Sequence, residues 1–331
     1  MRRLFQPVIS RLRAWRRRRR WRLRRSAVFA WMPDGAVRDV SATPGRGYYA
    51  LPCVHPDGSS VIFHGGTCEF SRIWRTDLDT GISTPLTSNA VVACSASYSA
   101  DGEYITYCAD DVSNHKPYTM EKAVHAFPGT GIYFGGAPYW MGVFVMKADG
   151  TDVRQLTSGR YSDMRPAFSP DGKTIVFLRH PRTPGALRTM WQISVNGRES
   201  PQPLIIDVSV GRPWYSTDGI SIYFFTEVNG RNTLAVIPSQ GGPWQPLAND
   251  TLGDWSHGPY CDPDGKHLWY HCGINGSSIC RLPLEGGDPV MLEPPGFSEK
   301  SCAHPSISRN NVVAFDWLEY AQKKKNVVPR K

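Results

Sequence analysis

A turn dipeptide recurs along this chain at a nearly constant interval, and that period restricts the possible folds more than any other feature. Asp-Gly stands at Asp57-Gly58, Asp101-Gly102, Asp171-Gly172, Asp218-Gly219 and Asp264-Gly265, and a degenerate Asn310-Asn311 completes the series. The separations are 44, 70, 47, 46 and 46 residues. Five residues before each turn stand Pro52, Ala96, Pro166, Pro213, Pro259 and Pro305. An aromatic follows each turn, at Phe63, Tyr107, Phe177, Phe224, Tyr270 and Phe315. The chain therefore contains six copies of one unit.

Each copy reads as a strand, a tight hairpin and a second strand, most clearly at 173–177. A third strand is expected at 73–77, 143–147, 190–194, 234–238 and 279–283. A fourth ends near a recurring Leu: Leu86, Leu156, Leu204, Leu247 and Leu292. Four strands per unit of this length is the arithmetic of a propeller blade. The sequence predicts an all-β fold, a six-bladed β-propeller of four-stranded blades around one large core. Its 31 Gly and 27 Pro suit many short strands and turns better than a helical bundle.

The ends of the chain predict how the ring closes. The sixth copy stops after its second strand, near Trp317. Residues 28–40 align with the third and fourth strands of the second copy at 143–156, allowing a one-residue gap. Residues 27–42 are thus expected to supply the outer strands of the last blade. The resulting layout is a basic arm over 1–26, a propeller over 27–317 and a basic tail over 318–331. The long second interval marks an insertion at 110–140, expected as a lid or docking loop with a short helix at 116–127.

The stretches 165–177 (Arg-Pro-Ala-Phe-Ser-Pro-Asp-Gly-Lys-Thr-Ile-Val-Phe) and 143–157 resemble the TolB-type propeller repeat. The resemblance covers 27–317 and implies the propeller fold. Propellers of this kind include periplasmic envelope proteins, peptidase accessory domains and lyases, so it leaves function open.

In a propeller, the inner strands and the loops after the second strands open on one end of the central channel. The residues before the Pro column are Leu51, Ser95, Arg165, Arg212, Gly258 and His304, with His257 one step earlier in its copy. The second-to-third-strand loops are expected to start at His64, Cys108, Leu178, Phe225, His271 and Asp316. Arg165, Arg212, His257, His304, His64 and His271 are therefore the candidate ligand-binding residues. Guanidinium forks match carboxylates and phosphates, which predicts an anionic ligand. Histidines at the same mouth also allow a divalent metal, as the resemblance to oligogalacturonate lyases implies. No complete ligand set is apparent, so no cofactor is assigned.

Other motifs are wanting. There is no G-x-S-x-G or H-E-x-x-H sequence, and the α/β-hydrolase half of a prolyl oligopeptidase is not seen. The fifth copy gathers His257, Cys261, His271, Cys272 and Cys280, but Cys261 and Cys280 occupy apolar columns and read as core. Of the eight cysteines, Cys68, Cys94, Cys108 and Cys272 are placed near one face; without an export signal they are expected to be reduced thiols.

The net charge of +9 becomes −3 once the twelve arginines of residues 1–25 are set aside. Phe5, Ile9 and Leu12 share a helical face in this arm, which suits an anionic membrane surface; its arginine runs equally suit nucleic acid. The chain as written reads as cytoplasmic, or periplasmic if the true start differs, and as a monomer. It is expected to be a non-catalytic binding or interaction module for a protein partner or a small anionic ligand. The alternative is a metal-dependent lyase or hydrolase acting on acidic oligosaccharides.

Overall fold

The computed structural model describes residues 21–42, 48–66, 71–88, 91–111, 141–159, 161–181, 186–248, 257–272, 278–297 and 301–322. The arm over 1–20, the insertion over 112–140 with its expected helix, Cys68, the tail beyond 322 and the side chain of His257 lie outside the described residues. Among the described residues, no helix is long and apolar enough to cross a membrane.

Blade one comprises β3 (Tyr48–Val54), β4 (Ser60–Gly66), β5 (Arg72–Asp77) and β6 (Ser83–Pro85). Blade two comprises β7 (Val91–Tyr98), β8 (Tyr104–Asp111), β9 (Gly142–Lys147) and β10 (Arg154–Gln155). Blade three comprises β11 (Ser162–Phe168), β12 (Thr174–His180), β13 (Thr189–Ser194) and β14 (Gln202–Ile205). Blade four comprises β15 (Trp214–Tyr215), β16 (Ser221–Val228), β17 (Arg231–Pro238) and β18 (Gln245–Ala248). Blade five comprises β19 (His257–Cys261), β20 (His267–Cys272), β21 (Ser278–Pro283) and β22 (Val290–Leu292). Blade six joins β23 (Ser301–Ile307) and β24 (Val313–Gln322) to the N-terminal β1 (Trp21–Trp31) and β2 (Val37–Asp39). The inner strands touch in the order β3, β7, β11, β15, β19, β23 and back to β3, which closes the ring.

The closing pair runs antiparallel from Trp21↔Gln322 to Trp31↔Val313, so it extends beyond the expected limits at 27 and 317. β1 also makes one parallel pair with blade one, at Ser26↔Tyr48. Inner-strand hydrogen bonds reinforce the junction, with the Val54 N–H donating to Ser306 Oγ at 3.0 Å.

The core is distributed among six interfaces, where the sequence suggested one large core. Alternate residues of each second strand face opposite neighbours, as the two-residue period of a strand requires. Ile62 packs toward blade two while Val61 and Phe63 pack toward blade six. Ile175 and Phe177 face blade two, whereas Val176 and Leu178 face blade four. In β1, Val28 and Ala30 join the interface with blade one, and Phe29 and Trp31 lie against the interface with blade five.

Three of the five Asp-Gly hairpins share a hydrogen-bonding scheme that explains their residues. Ser169 Oγ donates to Asp171 Oδ1 at 2.6 Å and accepts from the Thr174 N–H at 3.0 Å. Asp171 Oδ1 accepts from the Lys173 N–H at 3.1 Å, and Gly172 takes φ = +69°, where an L residue is strained. Ser99 and Ser216 repeat this arrangement with Asp101 and Asp218, and Ser308 repeats it with Asn310.

If closure carries the ring, Val28→Ala should cost about 2 kcal/mol, the lower end of large-to-small core losses. Val153→Ala on the exposed surface should cost under about 0.5 kcal/mol. Urea unfolding of the two variants measures the difference.

Candidate functional site

The inner strand of each blade carries one extra residue at the same place, a β-bulge. Leu51 and Pro52 together oppose Phe63; the same relation holds for Ser95 and Ala96 against Tyr107, and for Arg165 and Pro166 against Phe177. It recurs for Gly258 and Pro259 against Tyr270, and for His304 and Pro305 against Phe315. In blade four, 211–213 oppose Phe224 and Phe225, between the bridge Val210↔Thr226 and the pair Trp214↔Tyr223. Proline suits the second bulge position because it has no N–H to leave unpaired.

The first bulge residue is left-handed in five blades: φ is +53° at Leu51, +52° at Ser95, +54° at Arg165, +64° at Gly258 and +48° at His304. Such a backbone costs an L residue roughly 1–2 kcal/mol, so the surrounding sheet must impose it. Bulges bend a strand and redirect a side chain. Here they bring Arg165 and His304 together with Arg212 from blade four. His64, His271 and Asp316 stand one residue beyond the aromatic column, inside β4, β20 and β24. Sequence placed them at the start of loops, but each second strand continues past the bulge before it ends.

None of Arg165, Arg212, His64, His271, His304 and Asp316 is more than 6% exposed. His304 Nδ1 lies 3.0 Å from both carboxylate oxygens of Asp316. The Leu51 N–H donates to Asp316 Oδ2 at 3.3 Å, which ties blade six to blade one. The His304 N–H donates to His271 Nδ1 at 3.4 Å, and the two imidazole rings stand edge to face with centres 4.6 Å apart. A methyl group at Gly258 would lie 3.7 Å from His304 Cδ2 and 3.8 Å from Arg212 Cδ, so Gly258 sits between these side chains. His257 pairs with His271 through the backbone.

Burial and mutual repulsion govern the charges. Burial, the neighbouring Arg212 and then Arg188 bring Arg165 down to about 10. Arg212 is lowered by burial, partly offset by Cys53, Tyr260 and Asp316. Burial, with His304, Arg165 and Arg212 nearby, holds His64 down at about 3 and His271 well below the ordinary imidazole range. His304 is lowered by burial and the two arginines. Burial pushes Asp316 up to about 8 against the Leu51 N–H and the arginines. The site therefore holds neutral imidazoles beside positive guanidiniums at neutral pH.

Arg212 and Arg179 differ in what surrounds their charges. Its guanidinium lies 5.3 Å from the centre of the Trp214 ring, and among the described residues no acid comes within ion-pair distance. By contrast, Arg179 is buried with a bidentate partner, its Nε and Nη2 each 2.8 Å from an Asp163 oxygen. The Nε2 atom of His304 is buried without a hydrogen-bond partner.

Among the described residues, Asp262, Asp264 and His267 on the blade-five hairpin form the one group of three His, Cys, Asp or Glu ligand atoms within 4.8 Å of one another. There the Asp262 oxygens already accept from the His267 N–H at 3.0 Å and meet His267 Nδ1 at 2.9 Å. Cys272 and Cys280 form a disulfide, departing from the expectation of reduced thiols; adjacent strands set their Cα atoms 6.3 Å apart, within bridging range. Asp316 and Arg188 are the site residues that sequence did not select. The shared column with His64 and His271 marks Asp316, whereas no repeat position marks Arg188.

These charges fix a pH dependence. An unfolded histidine takes up a proton near pH 6.5, which His64, His271 and His304 refuse when folded, so stability should fall as pH drops from about 6.5 toward 3. His64→Gln should make that fall shallower. Asp316 has the opposite sign, because its folded pKa lies above its unfolded value. Its contribution is present below about pH 4 and disappears as pH rises through about 8, at up to roughly 1.4 kcal/mol per pH unit. Asp316→Asn should remove the decline between pH 6.5 and 8, measured by urea unfolding across pH.

No family model matches the chain. A TolB homologue of Chlorobium luteolum is 27% identical over 141 residues; the match takes in 37% of this chain and spans 31% of that relative's length. A structure assigned to TolB from Agrobacterium tumefaciens has a TM-score of 0.64 at 16% identity, covering 90% of this chain and 99% of that one. An oligogalacturonate lyase in complex with manganese has a TM-score of 0.58 at 12% identity, covering 85% of this chain and 79% of that one. At such identities the structural likeness speaks for fold, and the similar folds include both TolB and enzymes. The chain is a six-bladed β-propeller whose fold is similar to that of TolB.

Proposed function

We propose that this propeller is a non-catalytic binding or protein-interaction module whose channel mouth receives an anionic group. That group is borne by a small ligand or by a protein partner. The observation that carries the proposal is Arg212, a buried guanidinium with no acid at ion-pair distance among the described residues. An unpaired buried cation is costly, and an arriving carboxylate or phosphate offsets that cost. Arg165 adds a second positive charge, and His304 Nε2 is available as a donor or an acceptor. His64 and His271 line the same cluster as neutral imidazoles.

The second reading is a metal-dependent lyase or hydrolase of acidic oligosaccharides. Likeness of fold to an oligogalacturonate lyase in complex with manganese favours it. Two guanidiniums among the histidines oppose a divalent cation, and the described histidines do not converge as a ligand set. Both readings expect an acidic ligand, and they separate on metal dependence.

Calorimetric titration at low salt with inorganic phosphate, and separately with trigalacturonate, tests the proposal. Arg165→Ala combined with Arg212→Ala should weaken binding by roughly tenfold to a hundredfold, the worth of a charge-assisted hydrogen bond or two. Circular dichroism should show the ring intact. Unchanged affinity in the double variant would remove the two arginines from the site. Manganese-dependent cleavage of trigalacturonate would shift the assignment to the lyase class.

A further inference from the structure

Cys94 and Cys108 stand directly opposite each other on β7 and β8, with sulfurs 3.1 Å apart. Both are fully buried, and they share a small cluster with Val92, Met141 and Met164. The Cys108 thiol also lies 3.3 Å from the Cys94 carbonyl oxygen, to which it can donate. Other buried thiols are placed differently: Cys53 lies on the same interface as Ile62 and Tyr98, and its sulfur is 3.9 Å from the Val54 carbonyl.

We propose that Cys94 and Cys108 are a redox-active dithiol that a hydroperoxide converts to a disulfide across blade two. The sulfurs need only close from 3.1 Å to about 2.05 Å, and the opposed strand register already aligns their Cβ atoms. Adjacency also favours disulfide formation over further oxidation, because the second sulfur waits beside the first.

The two sulfurs are not equivalent. Burial raises the Cys108 thiol, but the Cys94 side chain, the Arg165 backbone N–H and Ser95 together bring it below its ordinary value. Cys94 is raised well above its ordinary value, by burial and then by Cys108. The reaction is written with Cys108 as the attacking sulfur and Cys94 as the resolving one, and exchanging the two roles gives the same disulfide. The Cys108 thiolate attacks one peroxide oxygen, an S–O bond forms and the O–O bond breaks. The leaving oxygen takes up a proton and departs as alcohol, or as water from hydrogen peroxide. Cys94 then attacks the Cys108 sulfur, the S–S bond forms, the S–O bond breaks, and hydroxide leaves with the Cys94 proton as water. Two electrons pass from the sulfur pair to the hydroperoxide. This inference stands on sulfur geometry and is independent of the ligand proposed for the mouth.

The test uses the full chain, reduced with dithiothreitol, desalted and titrated with hydrogen peroxide. Remaining thiols are alkylated under denaturing conditions, and the digest is mapped by mass spectrometry. The expected product is a peptide pair joined through Cys94 and Cys108, two hydrogens lighter and separated again by dithiothreitol, while Cys53 stays alkylated. Cys94→Ser should leave a sulfenic acid on Cys108 that dimedone captures. The wild-type map decides the matter even if that variant does not fold. Alkylation of both cysteines after peroxide, their conversion to sulfinic or sulfonic acids without a link, or a bridge to any other cysteine would each overturn the proposal.

Discussion

A four-stranded blade has two apolar faces and cannot cover either alone, so every blade here depends on a neighbour on each side. That dependence is satisfied for all six only if blade six is complete, and its third and fourth strands come from the other end of the chain. Opening the β1–β24 pair would expose a cluster of ten buried residues on one side and six on the other. At roughly 1.5–3 kcal/mol for each fully buried large aliphatic or aromatic side chain, that loss is comparable with a domain's entire net stability. Closure is therefore a condition of the fold. The bonds from Leu51 to Asp316 and from Val54 to Ser306 make the same junction at the inner edge.

Closure also gathers side chains from different blades at the mouth. The recurring bulge occurs wherever a pre-proline residue and a proline oppose the column aromatic, and it repeats because the blade repeats. One device thus delivers different side chains to one place: arginine in blade three, histidine in blade six, glycine in blade five. The backbone strain at these positions is borne by the paired strands on either side. Gly258 leaves room between Arg212 and His304, so the smallest residue of the column is also a determinant of the site's shape.

Two buried arginines show how context decides the meaning of a charge. Arg179 has Asp163 in bidentate contact and the Trp191 ring 4.6 Å from its guanidinium carbon, so its charge is answered within the blade. Arg212 has an aromatic neighbour at similar range but no such carboxylate. Asp316 stands near enough to influence it, yet burial keeps that acid protonated for much of the time at neutral pH. The first arginine is structural. The second is the better candidate for recognition.

Much of this architecture was legible in the chain because a propeller repeats its local chemistry. The Asp-Gly turns, the Pro column and the aromatic column each answer a local requirement: a left-handed glycine, a bulge position without an N–H, and a buried ring opposite that bulge. The similarity of 28–40 to 143–156 marked the closing strands for the same reason, and the shared column of Arg165, Arg212 and His304 placed them at one end of the channel. Their company could not be read so directly. His64 and His271 looked like loop residues, since no local signal records how far a strand runs beyond a bulge. The Asp316–His304 contact, the facing sulfurs of Cys94 and Cys108, and the lack of an acid beside Arg212 arise from register and from blades meeting around a ring. Sequence alone determined the repeat, the turns and the way the ring closes, because those are set by residues a few positions apart. Tertiary structure decided which buried charges meet an opposite charge and which do not, because that depends on groups that meet only when the ring is complete.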